Sequence, residues 1–274
     1  MSVIARRQNG MLAAGALLAV AGLAAGAGAV AVVLASDADH RILEAIGTGV
    51  VGWSFIGAGL VALLRRPDVR VGALVSTAGF AWLLGALDES SRPLVYAVGE
   101  LARPLFIPLT VHVLLGYPSG RLRRAYDRAA AGALYAAVVL LGPARFLVSS
   151  EPHDDCSECP RNPLALFENE ALLDLLSRMQ QLAVALGVAS AAALLGWRWW
   201  SASRARAPAA RPALWAVAAT LTYLVALGVE LRIDPPDAGE IALILVQIAA
   251  AAAVPVVLVA GLLRRGPPAP DRGG

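Results

Sequence analysis

Glu100, Arg103 and His112 fall within a single apolar stretch, residues 93–116, and Pro104 and Pro108 stand among them. Ionisable side chains are costly inside a bilayer and face a protein interior or a wet cavity. Glu100 and Arg103 are three residues apart, a spacing that lets opposite charges pair on one helical face. Pro104 has no N–H to donate to the carbonyl of Glu100, and Pro108 has none for that of Pro104, so the spacing predicts a kinked helix. Irregular backbone at membrane depth is tolerated where it is buried in protein or lines a wet cavity. The outer half of this stretch is therefore the expected sensing pocket: Glu100, Arg103, Pro104 and Pro108, with Glu230 and Arg145 at similar or shallower depth completing a polar cluster. The plainer alternative is a structural ion pair with side chains snorkelling to the interface.

The second chemical pattern is Cys156-Ser157-Glu158-Cys159, which holds both cysteines of the chain. In an extracytoplasmic loop such a pair is expected to oxidise. A structural disulfide is the first expectation. A thiol pair reporting redox state, and part of a metal site with His153 and Asp154 or Asp155, stay open. A lone C-x-x-C lacks the second ligand pair of a zinc site, so no metal and no cofactor is expected. No H-E-x-x-H, G-x-S-x-G or phosphate-binding loop occurs, which argues against the commoner intramembrane and cytosolic enzymes.

The elements that carry these residues follow from composition. Of 274 residues, 58% are hydrophobic and 16% charged. Soluble domains carry about a quarter charged residues and less apolar surface. The apolar residues come in long blocks rather than at amphipathic spacing, and a crossing helix needs about 20 of them. Eight stretches qualify: 11–35, 45–64, 71–87, 93–116, 128–149, 172–196, 212–232 and 240–263. The first follows Arg6 and Arg7 as a secretory signal would, but it exceeds the roughly 7–15 apolar residues of a signal core, so it is expected to stay as a helix.

Arginine supplies all of the basic side chains. Taking alternate loops as one side collects Arg6, Arg7, Arg65, Arg66, Arg70, Arg121, Arg123, Arg124, Arg128, Arg198, Arg204, Arg206, Arg211, Arg264, Arg265 and Arg272. The other side holds Arg41, Arg92, Arg161 and Arg232. Cytoplasmic loops keep the positive excess, so both termini are expected in the cytoplasm. Asp37, Asp39, Asp88, Glu89, Glu151, Asp154, Asp155 and Glu158 sort to the opposite side. The net charge of +3 is spread over short loops and forms no basic face for nucleic acid. Trp197, Trp199 and Trp200 beside Arg198 fit a headgroup belt, and Gly22 and Gly26 form a G-x-x-x-G in the first span.

Four loop motifs carry a resemblance. Arg65-Arg66-Pro67-Asp68-Val69-Arg70-Val71-Gly72 resembles the R-R-P-x-N-R-x-G loop in the membrane region of many actinobacterial sensor histidine kinases, with Val69 in place of Asn. Tyr117-Pro118-Ser119-Gly120-Arg121-Leu122 resembles their F-P-S-G-R-L signature, with Tyr for Phe. Cys156 to Asn162 is similar to their outer C-x-x-C-P-x-N loop, and Gly261-Leu262-Leu263-Arg264 to the end of their last membrane helix. The resemblance spans roughly residues 45–265.

It implies a membrane region that perceives a signal and passes it to a phosphotransfer helix and an ATP-binding domain. Neither is expected here, because the three histidines, His40, His112 and His153, fall in outer loops or within a span, and eleven residues follow Leu263. The expected protein is thus an all-α polytopic helix bundle of about eight transmembrane helices: a cytoplasmic N-terminus over 1–10, a membrane domain over 11–263 with an extracytoplasmic loop at 150–171, and a short disordered cytoplasmic tail over 264–274. It is expected in the cell membrane, in contact with lipid, as a signal-perceiving module without catalytic activity of its own, acting with a separate histidine kinase or as a homodimer. The alternatives are a small-solute transporter, using Glu100, Arg103 and Glu230 along a polar path, and, less well matched, a membrane-embedded transferase.

Overall fold

A backbone in lipid must satisfy its own N–H and C=O groups, and an α-helix does so within one segment. The computed structural model, which describes residues 3–37, 39–149, 160–204, 211–230 and 237–264, is helical throughout and has no strand among those residues. Its helices are α1 (Val3–Leu34), α2 (Arg41–Arg65), α3 (Val71–Gly85), α4 (Pro93–Ala102), α5 (Phe106–Gly116), α6 (Ala125–Ala136), α7 (Gly142–Leu147), α8 (Glu170–Arg204), α9 (Arg211–Glu230) and α10 (Asp237–Leu263). Short 3₁₀ turns, Ala86–Glu89 and Arg103–Leu105, follow α3 and separate α4 from α5. A π-helical segment, Ala137–Leu141, joins α6 to α7. Pro143 explains it: without an N–H for the carbonyl of Val139, the ladder shifts register just ahead of the proline.

Seven helical segments are long and apolar enough to cross a membrane, and α4 and α5 together make one of them, Pro93–Gly116. The eighth expected span falls on α9, whose apolar run, Leu214–Ala226, is shorter than 18 residues. Two helices reach beyond their apolar stretches, α1 back to Val3 and α8 on to Arg204, because polar flanks continue the helical ladder. The outer faces are apolar: Leu17 on α1, Leu140 after α6, Leu186 on α8 and Val225 on α9 are all more than 60% exposed. A water-soluble protein does not present such a surface. It is the face of a multi-pass membrane protein.

The centre of the bundle is α2, packed against α1, α3 and α10, with α9 behind α10 and α5 against α3. Its core holds Val51, Phe55, Val75, Leu109, Val113, Val254 and Leu258. Small residues set the spacing. A Cβ on Gly59 would lie 2.7 Å from the carbonyl oxygen of Gly72, so the α2 and α3 backbones touch directly. The Gly22/Gly26 motif works the same way inside the chain: Ile56 fills the notch at Gly22, and the Trp53 ring lies over Gly26 while its indole N–H donates to the Gly22 carbonyl at 3.2 Å.

The loops sort into two ends. At one, the arginine end, the Arg70 N–H donates to the Ser119 carbonyl at 3.0 Å, joining the 66–70 loop to the turn after α5. At the other, the acidic end, His40 Nε2 sits 3.5 Å from Glu240 Oε2, joining the starts of α2 and α10.

Candidate functional site

The acidic end is built around the break between α4 and α5. Arg103 still donates its N–H to the Gly99 carbonyl, but Pro104 has none to give, and the Phe106 N–H turns back to the Arg103 carbonyl in 3₁₀ fashion. The kink expected from Pro104 and Pro108 is therefore a change of helix type at Arg103–Leu105. It turns the Arg103 side chain toward the 3₁₀ turn after α3, where its Nη1 pairs with Asp88 Oδ2. Two glycines permit this approach. A side chain at Gly99 would collide with the backbone of Leu87 and Asp88, and one at Gly85 would lie 2.9 Å from the Cα of Arg103.

Glu100 takes a different partner from the one its spacing suggests. Its Oε1 lies 4.0 Å from Nη2 of Arg145 on α7, while Arg145 Nη1 donates to Gln180 Oε1 on α8 at 3.1 Å. Glu100 and Arg103 thus head two ion pairs rather than closing one. Between them lies Tyr96, 1% exposed, within electrostatic reach of Asp88, Glu100, Arg103 and Arg145. Its hydroxyl, like Nε of Arg145, is buried without a hydrogen-bond partner among the described residues. A buried polar group left so costs about 1–3 kcal/mol.

Beside the Asp88–Arg103 pair a cavity of about 250 Å³ opens between α2, α3, α9 and α10. Its polar lining includes Glu44, Thr48, Asp88, Glu89, Arg103 and Gln247, with Tyr223 beside them. The Asp88 side chain is 5% exposed and that of Arg103 is 64% exposed, so the carboxylate anchors the pair and the guanidinium is presented to open space. Of the residues expected to form a pocket, Arg103 lines this cavity; Pro104 lies in the break, Glu100 heads the second ion pair, and Pro108 is buried in the first turn of α5. Glu230 closes α9, but its side chain lies outside the described residues, as do Cys156 and Cys159. No cluster of three or more His, Cys, Asp or Glu able to hold a metal is found among the described residues.

Sequence reasoning missed Asp88, which reads as one more loop acid beside Glu89. The signal was Gly85 and Gly99, small residues at positions where two backbones meet. It also missed an ion pair at the arginine end. Arg198 on α8 donates Nη1 to the Leu115 carbonyl at 2.9 Å and Nη2 to both carboxylate oxygens of Asp127 on α6. The Leu115 carbonyl belongs to the last turn of α5, where carbonyls lack helical partners. Trp197 and Trp200 flank this arginine and are more than half exposed, as headgroup anchors would be.

Three of the quoted motifs meet at that end. The Tyr117 hydroxyl donates to the Leu258 carbonyl of α10 at 3.2 Å, and a side chain at Gly261 would approach it to 2.8 Å. Gly120, at φ 73, lies against the first residue of α3, where a Cβ would come within 2.6 Å of the Val71 nitrogen. In the 66–70 loop, Asp68 is exposed, and the Arg66 guanidinium holds its carboxyl below its ordinary value. His112 contacts Tyr135 on α6 at 3.4 Å and belongs to the packing of the bundle. Comparisons with family models, curated proteins and solved structures returned no match.

Proposed function

We propose that this multi-pass membrane protein is a signal-perceiving module: it receives at the acidic end, outside the cell, and delivers at the arginine end, in the cytoplasm. The observation that carries this reading is that two helices run from the cavity to the Tyr117 junction. α5 begins beside Arg103 and ends at Tyr117, eleven residues or about 16 Å later at 1.5 Å per residue. α10 lines the cavity with Gln247 and Ile248 and meets Tyr117 at Leu258. A change at Arg103 that tilts α5 therefore acts on α10 through a contact already in place. The arginine excess supports a cytoplasmic delivery end, and the order of the loop motifs resembles the membrane region of sensor histidine kinases, which supports a separate kinase or a second copy as the partner.

The test is a distance measurement across the delivery end. With Cys156 and Cys159 replaced by Ser, spin labels at Arg70→Cys and Arg264→Cys report the separation of α3 and α10 in nanodiscs. Arg103→Ala is expected to shift that distance distribution, and adding Tyr117→Phe to weaken the shift. An Arg103→Ala distribution that superimposes on its parent's removes the coupling.

A small-solute transporter is the second reading, favoured by the interrupted α4–α5 span, since transporters bind solutes at broken helices. That design has a second broken helix in the matching half, whereas α10 runs unbroken through Pro255. Solute flux in proteoliposomes would favour this reading.

A further inference from the structure

We infer that Arg124, Tyr126 and Trp197, at the arginine end, form a binding site for the phosphate of an anionic phospholipid headgroup. The site is separate from the cavity and independent of the receiver reading. The Arg124 guanidinium lies 5.7 Å from the centre of the Tyr126 ring and 5.9 Å from that of Trp197, within reach of a cation–π contact. Its Nη1 donates to the Tyr126 hydroxyl, and the two rings meet edge-on at 6.5 Å between centres. The buried ion pair sets this arrangement. Asp127 and Arg198 are the chain neighbours of Tyr126 and Trp197, so their contact holds the two rings side by side. A surface fixed before binding loses less freedom when the ligand arrives.

Arg124 keeps donors to spare. Its remaining N–H groups, and the indole N–H of Trp197, have no hydrogen-bond partner among the described residues. A planar guanidinium with open N–H groups matches the oxygens of a phosphate. The chain has few carboxylates to compete for it. Of its 20 Asp and Glu, Asp68, Asp127 and Asp271 are the ones that fall by sequence in the segments at this end. Asp68 pairs with Arg66, and Asp127 with Arg198. Asp271 lies outside the described residues, and one carboxylate cannot balance Arg121, Arg123, Arg124 and Arg128 together.

The surroundings favour a lipid over a soluble anion. Trp197, Trp200 and Trp215 expose their indole rings at this end, as side chains at headgroup depth do. Leu134 seats over Gly187 and draws α6 against α8. Ala129, Ala133 and Ala136, at helical spacing from Tyr126, and Ala193, one turn before Trp197, are small and exposed, which leaves room for an acyl chain beside the rings. A choline headgroup fits less well, because its ammonium seeks the aromatic faces that Arg124 already occupies and meets the surrounding arginines. A glycerol headgroup carries the same phosphate without the cation.

The test is native mass spectrometry of the full chain in detergent, titrated with dioleoyl phosphatidylglycerol or dioleoyl phosphatidylcholine and read as the fraction carrying one lipid. Glycerol phosphate and tetraglutamate serve as soluble competitors. Phosphatidylglycerol is expected to bind more tightly than phosphatidylcholine, and Arg124→Gln to weaken it about tenfold. Arg264→Gln removes the same charge at the end of α10 and is expected to cost about threefold or less, the effect of the general field alone. Trp197→Leu keeps every charge and should weaken phosphatidylglycerol as well; it also serves should Arg124→Gln fail to purify. Equal binding of the two lipids, equal losses in Arg124→Gln and Arg264→Gln, or wild-type affinity in Trp197→Leu would each overturn the site. So would displacement of the lipid by glycerol phosphate or tetraglutamate at equal concentration.

Discussion

Arg198→Met leaves the Asp127 carboxylate in place and takes away the cation that both of its oxygens contact. The Asp127 side chain is 3% exposed, and that of Arg198 is 25% exposed, so solvent screening does little to soften the loss. Breaking a buried pair by removing one partner costs about 3–5 kcal/mol, because the remaining charge stays desolvated. The same substitution also frees the Leu115 carbonyl, a bond worth about 0.5–1.5 kcal/mol on its own. The expected loss is therefore about 3–5 kcal/mol, with the carbonyl placing it toward the upper end. Replacing both partners, Arg198→Met with Asp127→Leu, removes the orphaned charge and is expected to recover most of the loss, since an apolar pair of similar volume is often neutral or better. Unfolding in mixed micelles, followed by tryptophan fluorescence for the parent, both single variants and the double, closes the cycle. A single Arg198→Met cost below about 1 kcal/mol, in the range of surface ion pairs, would refute the claim that this pair pins α8 to α6. So would additive costs in the double variant.

Two further outcomes are expected. Gly99→Val drives a side chain into the backbone of Leu87 and Asp88, and at the typical overpacking penalty of about 1–3 kcal/mol it should lower thermal stability and displace Asp88 from Arg103; an unchanged melting temperature in detergent would contradict that close approach. The Asp68 carboxyl, held low by Arg66, should stay ionised to lower pH than an ordinary aspartate. A depressed carboxyl contributes above its unfolded value and loses that contribution only as pH falls through the folded one, so Asp68→Asn should lower stability by the same small amount throughout pH 5 to 8 and leave the pH dependence of unfolding in that window unchanged.

The long elements were legible because a bilayer leaves a backbone little choice: an uninterrupted run such as 240–263 has one way to satisfy its carbonyls, and α10 follows it closely. The break at Arg103 was legible for the same reason, since a missing proline N–H is a local fact. Partner choice was not. Glu100 and Arg103 are good helical neighbours by spacing, yet the turn at Arg103 that the prolines impose re-aims one of the two, and what it reaches depends on where α3 ends. Asp88 and Asp127 could not be told from loop acids, because the residues that bury them, Arg103 and Arg198, come from elements 15 and 71 positions away. The Glu230 and cysteine expectations fall on parts of the chain outside the described residues.

The two pairs at the acidic end bear on why α4 is built as a short, separate piece. It starts at Pro93, ends at the 3₁₀ turn, and is gripped by Asp88 just after its end and by Arg145 through Glu100. An unbroken helix of 24 residues would carry any tilt along its whole length. A helix interrupted at Arg103 lets α4 answer to its ion pairs while α5, packed on α3, passes on only the part that reaches its first turn. Tyr96, within electrostatic reach of both charged pairs, has a hydroxyl without a hydrogen-bond partner among the described residues, at a cost that good packing elsewhere must offset. In an isolated helix the break would be a defect; between two anchored charges it is the joint through which, on the receiver reading proposed above, a change at Arg103 would reach α5.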